Sequence, residues 1–305
     1  MTYNLCAELD EDRMLHDGEF HFDDDTVARL IGSQMPHWAD LPLRRLDSAG
    51  TAHVNYKLGA DKLVRLPRHP DFSDGPMREA EWLPAFRAQL PLEIPEFLAL
   101  GFPSSSYPSH WSVLSWIEGT NATRAALADL GATAKRLGEF VAALRGLPAE
   151  RAPRTSYRGQ GLSTVDTDVM ARIEGLPEAF DKAAVLEAWQ TCASAPTWDG
   201  PPTWFHGDLY ANNLLARDGE LVGVIDFEGC NAGDPSIDLI AGWWMFDQSG
   251  RETFRETIEA DEPQWRRGRG WALFMAVSAI PYYRHSNPAF AELAIRAMAE
   301  VLEDW

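Results

Sequence analysis

The sequence has little cysteine, few basic residues relative to acidic ones, and no apolar stretch long enough to cross a membrane. Its three cysteines, Cys6, Cys192 and Cys230, lie far apart and include no Cys-x-x-Cys pair. This distribution predicts a chain without a disulfide framework, in a reducing compartment such as the cytoplasm. The acidic N-terminus shows no basic segment followed by an apolar one, so a signal peptide is not expected. The apolar run at 239–246 is much shorter than the ~20 residues of a membrane-spanning helix, so no membrane partner is expected.

Positive charge is scarce. The sequence has 27 Lys and Arg against 46 Asp and Glu, which gives a formal net charge of −19. This charge argues against a nucleic-acid partner, because nucleic-acid binding relies on basic side chains that displace counterions. It would suit a cationic small molecule, although acidity also serves solubility alone. The 305 residues are enough for two lobes, each with its own core.

The most informative part of the chain is the segment 206–227. Asp208 is followed five positions later by Asn213, and Asp226 stands at the end of the next predicted strand. Between them, Asp218-Gly219 separates two apolar runs, which is a hairpin signal because both turn positions favour φ > 0. A hairpin would bring Asp226 back beside Asn213. An acid that accepts a hydroxyl proton, with an amide and a second acid that hold Mg²⁺ against nucleotide phosphates, is the set that phosphoryl transfer requires.

A metal-dependent hydrolase is the alternative use of these acids. Such a site is typically built from several imidazole ligands. The eight histidines are scattered along the chain, and His206 alone lies close to the acids in sequence. Phosphoryl transfer therefore explains the pattern better, and His206 is expected to orient the loop by hydrogen bonds.

Three motifs, in order and at matching spacing, resemble the aminoglycoside and macrolide phosphotransferases, which are small-molecule relatives of the protein kinases. The family signature is H-G-D-L-x-x-x-N, then I-D, then G-D-P-x-x-D-L, and it matches residues 206–213, 225–226 and 233–239. The resemblance implies an α+β, bilobal, protein-kinase-like fold. Its β-rich nucleotide-binding lobe would be residues 1–115, and its mainly helical catalytic and substrate-binding lobe residues 116–305.

The resemblance also implies roles for single residues. Asp208 would be the catalytic base, and Asn213 and Asp226 the Mg²⁺ ligands. Arg65 stands where relatives place a Lys that pairs with nucleotide phosphates and with a helix glutamate. That glutamate would be Glu79, with Glu81 as the second choice.

Further implied site residues fall into three groups. Ser48, Gly50 and Thr51 would cover the phosphates of ATP or GTP. The hinge strand that begins at 111 would bring Ser115, Trp116 and Ile117 to the edge of the base. The residues expected to support the site structurally are His206, Asp234 and Asp238.

The sequence departs from the kinase pattern in three places. Arg65 replaces Lys, and an arginine fork binds phosphate oxygens differently from a point charge. The predicted nucleotide loop has one glycine and no Gly-x-Gly-x-x-Gly array. Phe227-Glu228-Gly229 lacks the glycine of the protein-kinase Asp-Phe-Gly motif, which argues against a protein kinase switched by its activation loop.

The expected function is Mg²⁺-dependent transfer of the γ-phosphoryl group of ATP or GTP to a hydroxyl of an aminoglycoside-type antibiotic, which would inactivate it. A macrolide 2'-phosphotransferase is the second possibility, and a kinase of a cellular metabolite such as an amino sugar, choline or homoserine the third. A nucleotide-binding pseudokinase is the non-enzymatic alternative. Retention of Asp208 argues against it, because a binding module needs no base.

The remaining sequence predicts a strand-rich first part and a helical second part. The acids at 23–25 suit a helix N-terminus, and residues 154–168 show no period. The aromatic residues at 243–244, 265, 271 and 282–283 could line a drug pocket, but they are expected in the core. The predicted elements are strands within 43–66, a helix at 75–89, helices from 123 and at 178–193, and helices at 236–247, 251–259, 264–284 and 288–303.

Overall fold

The computed structural model describes residues 18–46, 52–123, 126–154 and 157–304. The fold mixes helix and sheet, with a sheet-rich N-terminal region followed by a helical C-terminal region, as the sequence predicts. Within the described ranges, no helix combines the length and the apolar character needed to span a bilayer.

A five-stranded antiparallel sheet forms the N-terminal region, in the order β1-β2-β3-β5-β4. Its strands are β1 (Leu43–Arg45), β2 (His53–Leu58), β3 (Lys62–Pro67), β4 (Phe97–Gly101) and β5 (Trp111–Ser115). Helix α1 (Asp24–Gln34) precedes the sheet, and Asp23 caps it by accepting the Thr26 amide at 2.8 Å. Helix α2 (Gly75–Arg87) lies between β3 and β4. The predicted strands, helix and acidic cap are thus confirmed.

The buried apolar residues form two clusters. The smaller one fills the space between α1 and the sheet, with Tyr56 and Trp111 at its centre. The larger one runs through the C-terminal helices and also includes Leu83 and Phe86 of α2. Helix α2 therefore packs with the C-terminal core. Its Glu79 contacts Arg65 of the sheet and the Phe227 amide of the C-terminal region. The lobe boundary at residue 115 stays a prediction.

The predicted hairpin around Asp218-Gly219 is confirmed. Strands β8 (Leu214–Arg217) and β9 (Glu220–Val224) pair antiparallel, and the short β6 (Thr120–Asn121) pairs with β8. Asp218 has φ 54° and Gly219 φ 83°, the left-handed conformation expected of both turn residues. A second small sheet pairs β7 (Thr203–Phe205) with β10 (Asn231–Gly233). The segment 206–227 is therefore anchored by paired strands at both ends.

The rest of the C-terminal region is helical. Its helices are α3 (Leu130–Arg145), α4 (Asp166–Glu174), α5 (Lys182–Ala193), α6 (Ala241–Met245), α7 (Gln248–Ile258), α8 (Glu262–Tyr283) and α9 (Pro288–Glu303). Helix α3 begins at Leu130, later than the predicted 123, because Asp129 caps it by accepting the Ala132 amide at 2.9 Å.

Two sequence expectations about this region have different outcomes. Segment 154–168 is not structureless throughout, since a short 3-10 helix (Leu162–Val165) leads into α4. The apolar residues of this stretch, such as Leu162 and Val165, are buried by packing that its own sequence does not reveal. The core placement of the C-terminal tryptophans is confirmed, because Trp243 and Trp271 are fully buried, whereas Tyr282 is 54% exposed.

A buried ion pair holds the end of β10 to helix α8. Asp234 lies 2.7 Å from Arg267 Nε, with both side chains at most 5% exposed, and it also accepts the Ser236 amide at 3.0 Å. An exposed pair offers a matched comparison, since Arg136 lies 2.7 Å from Glu220 with side chains 40% and 71% exposed.

We expect Arg267→Met to lower the free energy of unfolding by about 3–5 kcal/mol, because it leaves a buried carboxylate without its partner. Arg136→Met should lower it by at most about 1 kcal/mol, since its pair is screened by water. Urea denaturation followed by circular dichroism measures both. Equal stability of the two variants would contradict a structural role for the Asp234 pair.

Candidate active site

The loop at 206–213 is fixed by a buried carboxylate. Asp238 accepts the backbone amides of His206 at 2.8 Å and of Gly207 at 2.6 Å. Burial raises the pKa of Asp238, while His206 and these two amides act in the opposite direction. The ring of His206 adds contacts to Ile225 O at 3.1 Å and to the Asp208 amide at 3.3 Å. His206 and Asp238 thus shape the loop backbone that presents Asp208.

Asn213 and Asp208 face each other across one turn. The Asn213 amide nitrogen donates to Asp208 Oδ2 at 2.9 Å and to the Asp208 carbonyl at 3.0 Å. A 3-10 turn at Ala211–Asn213 closes the five-residue spacing. The Asn213 carbonyl accepts the Ile225 amide at 2.9 Å, which brings Asp226 alongside. The hairpin therefore brings the acid, the amide and the second acid together.

Asp226 is held in place by Arg65. Its backbone is left-handed, with φ 70° and ψ 66°, where the chain turns out of the hairpin. Arg65 Nη2 donates to Asp226 Oδ1 at 2.7 Å, and Arg65 Nη1 donates to Glu79 Oε1 at 2.7 Å. Of the two glutamates that the sequence left open, Glu79 makes the contact. Glu81 lies at the surface, 3.9 Å from Arg151.

Three carboxylates surround the guanidinium of Arg65. Oxygen atoms of Glu79, Asp226 and Glu228 lie within 4.8 Å of one another, and Glu228 Oε1 is 3.6 Å from Arg65 Nη2. Burial opposes charge on Arg65, but the three acids outweigh it and raise its pKa. Burial would also raise the pKa of Asp226, yet Arg65 and His53 hold it at about 2. Burial raises the pKa of Glu79 against the opposing charge of Arg65.

The structure adds three residues to which the sequence assigned no individual role in the site. His53 Nε2 lies 2.8 Å from Glu228 Oε1, and His53 Nδ1 lies 3.3 Å from Arg65 Nη2. Arg158 Nη1 lies 3.1 Å from Asp208 Oδ1. For His53 and Glu228, the sequence feature that could have indicated their contact was the glutamate at 228, where protein kinases have a glycine. Arg158 gave no signal, because its surrounding sequence has no period.

The three residues expected to contact the base lie at and just after the end of β5. Ser115 Oγ accepts the Glu96 amide at 2.9 Å, and the Trp116 amide donates to the Asp61 carbonyl at 2.8 Å. The Trp116 amide is therefore already used within the chain. Ile117 follows it in the strand-free segment. Ser48, Gly50 and Thr51 lie outside the described residues.

The donor set around Asp226 suits a hard cation. The side chain of Asp226 is 34% exposed, and Arg65 engages Oδ1. Across the described ranges, no group donates to the amide oxygen of Asn213, whose nitrogen is engaged by Asp208. An amide oxygen and a carboxylate oxygen are ligands that Mg²⁺ accepts alongside water and phosphate. Asn213 and Asp226 could therefore hold Mg²⁺.

Solved structures share this fold at low sequence identity. Wild-type aminoglycoside 2'-phosphotransferase-IIIa in complex with GDP matches with a TM-score of 0.72 and 17% identity over 93% of this chain and 99% of that chain. The streptomycin–ATP–APH(2")-IIa ternary complex matches with a TM-score of 0.59 and 18% identity over 93% and 97%. Macrolide 2'-phosphotransferase MphH from Brachybacterium faecium matches with a TM-score of 0.63 and 20% identity over 90% and 97%.

Sequence comparison gives the family. No curated protein matches the chain significantly in sequence. The sequence model of the phosphotransferase enzyme family (APH) matches residues 44–303, which covers the sheet, the loop that carries Asp208 and the C-terminal helices. The match includes all three motifs and nearly the whole described fold. The chain belongs to the phosphotransferase enzyme family.

Proposed function

We propose that the chain transfers the γ-phosphoryl group of ATP or GTP, with Mg²⁺, to a hydroxyl of a small molecule, and that an aminoglycoside is the first acceptor to test. The observation that carries this proposal is the convergence of Asp208, Asn213 and Asp226 beside the Arg65–Glu79 pair. Kinase-type phosphoryl transfer requires these groups to be fixed together.

Each site residue has a separate role in the proposed reaction. Asp208 accepts the proton of the acceptor hydroxyl. Asn213 and Asp226 would hold Mg²⁺, which when bound would offset the negative charge of the nucleotide phosphates. Arg65, fixed by Glu79, places a guanidinium next to the same phosphates. Positioning and preorganised charge supply most of the rate in this mechanism.

Two observations support an aminoglycoside as acceptor. Relatives of the same fold are known in complex with kanamycin, streptomycin and gentamicin. The formal net charge of −19 favours approach of a polycation. With an antibiotic as acceptor, the biological role would be resistance by inactivation.

A macrolide is the second candidate. The aromatic rings near the loop do not decide between the two acceptors, because Tyr210 and Trp244 pack against each other in the core and are buried. Macrolide phosphotransferase MphH shares the fold.

We also propose a cytoplasmic location. Cys192 and Cys230 are both free and buried. Free buried thiols are typical of reducing compartments.

A product-release screen tests the proposed function. Release of ADP and GDP is measured with Mg²⁺ against aminoglycosides, macrolides, peptide antibiotics, amino sugars, choline and homoserine. A hit identifies donor and acceptor class together, and mass spectrometry then locates the phosphate. Nucleotide binding without release for any acceptor would instead favour an untested metabolite or the pseudokinase alternative.

We expect Asp208→Asn to reduce acceptor-dependent turnover by roughly 10²–10⁴-fold, because the amide cannot accept the hydroxyl proton. Asp218→Asn is the matched control. It removes the same charge from the hairpin turn, where φ is 54° and asparagine is tolerated. Turnover of Asp208→Asn within threefold of the parent would contradict its role as base.

We expect Glu79→Gln to lower kcat/KM for the nucleotide by roughly tenfold or more, since Arg65 loses a charged hydrogen-bond partner. Glu81→Gln should leave it unchanged, because its side chain is 53% exposed while that of Glu79 is fully buried. Steady-state kinetics with varied nucleotide compares them. Similar losses in both variants would show that the Arg65–Glu79 contact has no special role.

A further inference from the structure

Arg158 reaches the proposed base from a segment outside the family motifs. Its Nη1 lies 3.1 Å from Asp208 Oδ1 and donates to the Gly207 carbonyl at 3.0 Å. The neighbouring ring of Tyr157 packs edge-on against Trp271 and Phe274, with centroids 6.3 and 5.7 Å away. The guanidinium is therefore brought to the loop by an anchored segment. Its side chain remains 29% exposed, so it also faces open space.

Arg158 remains charged in this position. Burial by itself would lower the pKa of its guanidinium, but the charge of Asp208 outweighs burial, so the pKa is raised. Over the ranges that the structure describes, Arg158 is the one basic side chain within 4.0 Å of the Asp208 carboxylate. Arg65 has the corresponding position beside Asp226. Each of the two acids proposed for catalysis thus has its own arginine.

The contact between Arg158 and Asp208 competes with the role of Asp208 as base. Oδ1 faces Arg158 and Oδ2 accepts the Asn213 amide, so each carboxylate oxygen already has one partner. A proton taken from an acceptor hydroxyl must go to one of these oxygens, and a neighbouring guanidinium opposes that transfer. The Asn213 contact also aligns a proposed Mg²⁺ ligand, whereas the Arg158 side chain is 29% exposed and serves no such ligand. Arg158 is therefore the partner that can leave.

In the proposed function, the phosphoryl group is transferred to a hydroxyl beside Asp208. A guanidinium that leaves Oδ1 would therefore be close to the negative charge of that group. In the transition state, negative charge is spread over three equatorial oxygens, which an arginine fork matches. We propose that Arg158 is a catalytic residue that pairs with Asp208 at rest and contacts the transferred phosphoryl oxygens during the reaction. This inference rests on the proposed function.

The step balances without another reactant. The acceptor oxygen forms a bond to the γ-phosphorus as the bond between that phosphorus and the β,γ-bridging oxygen breaks. The electron pair of the broken bond stays on the nucleoside diphosphate. The hydroxyl proton passes to Oδ1 of Asp208, which Arg158 has released. Arg158 exchanges one anionic partner for another and keeps its own protons.

The experiment uses the full chain with Mg²⁺ and either ADP or GDP, with and without aluminium fluoride, which mimics the phosphoryl group in transit. Thermal unfolding reports the stabilisation by each mixture. Basal ATP and GTP hydrolysis without acceptor is measured in parallel. The variants are Arg158→Gln, which removes the charge, and Arg158→Lys, which keeps the charge and removes the fork. Arg172→Ala is the control, since it removes a nearby arginine 5.8 Å from the Phe274 ring.

We expect both Arg158 variants to keep the stabilisation by Mg²⁺ and nucleoside diphosphate and to lose the added stabilisation by aluminium fluoride. Basal hydrolysis should fall on the order of 10²–10³-fold, the usual loss when one transition-state donor is removed. Arg172→Ala should match the parent in both measurements. A residue that only supported the loop would affect hydrolysis without a selective loss of the fluoride response.

The contrary outcomes are distinct. A parent that is stabilised by diphosphate and fluoride, with Arg158 variants that respond equally, overturns the role of Arg158 and leaves the proposed function standing. A selective fluoride loss that also appears in Arg172→Ala overturns it too. A parent that binds neither nucleotide overturns the proposed function, and the inference with it.

Discussion

The contacts of Arg65 are the interaction on which the site depends. One guanidinium, from the central strand β3, reaches Glu79 of α2 and Asp226 of the hairpin end, each at 2.7 Å. It thereby joins the sheet, a helix of the larger core and the loop that carries the proposed metal ligand. Three carboxylates surround this one guanidinium, and His53 contacts both the guanidinium and Glu228. Such a cluster is stable only while every member stays in place, because an unpaired buried charge is costly.

A second constraint holds the other half of the site. Asp238 fixes the loop backbone through the amides of His206 and Gly207, and Asp234 fixes the following turn through Arg267. Asp238 binds backbone amides and Asp234 binds Arg267, so both acids position the loop and take no part in the proposed reaction. Asp208 is consequently presented from a hydrogen-bonded loop with its carboxylate toward Asn213 and Arg158. Preorganisation of this kind suits phosphoryl transfer, in which the protein mainly positions groups and stabilises charge.

Local rules made most of the fold predictable. Asp218-Gly219 required a two-residue hairpin, the acids at 23–25 required a helix start, and the C-terminal helices followed from their apolar periods. The prediction was less successful where tertiary packing outweighed local pattern. Helix α3 begins at its Asp129 cap, and segment 154–168 gains helix because Leu162 and Val165 are buried by other elements. The packing of α2 with the C-terminal core was likewise not visible in the sequence, because it depends on contacts between distant elements.

For the site, the sequence by itself determined that Asp208, Asn213 and Asp226 lie together, because a short loop and the hairpin after it bring residues close in sequence close in space. The tertiary structure decided the rest. It selected Glu79 over Glu81, which lie two positions apart on one helix and differ in the face they present. It also brought in His53, Glu228 and Arg158. Arg158 and Asp208 are 50 residues apart in the chain. No local pattern encodes a contact over that distance, because it depends on how the intervening helices and strands pack.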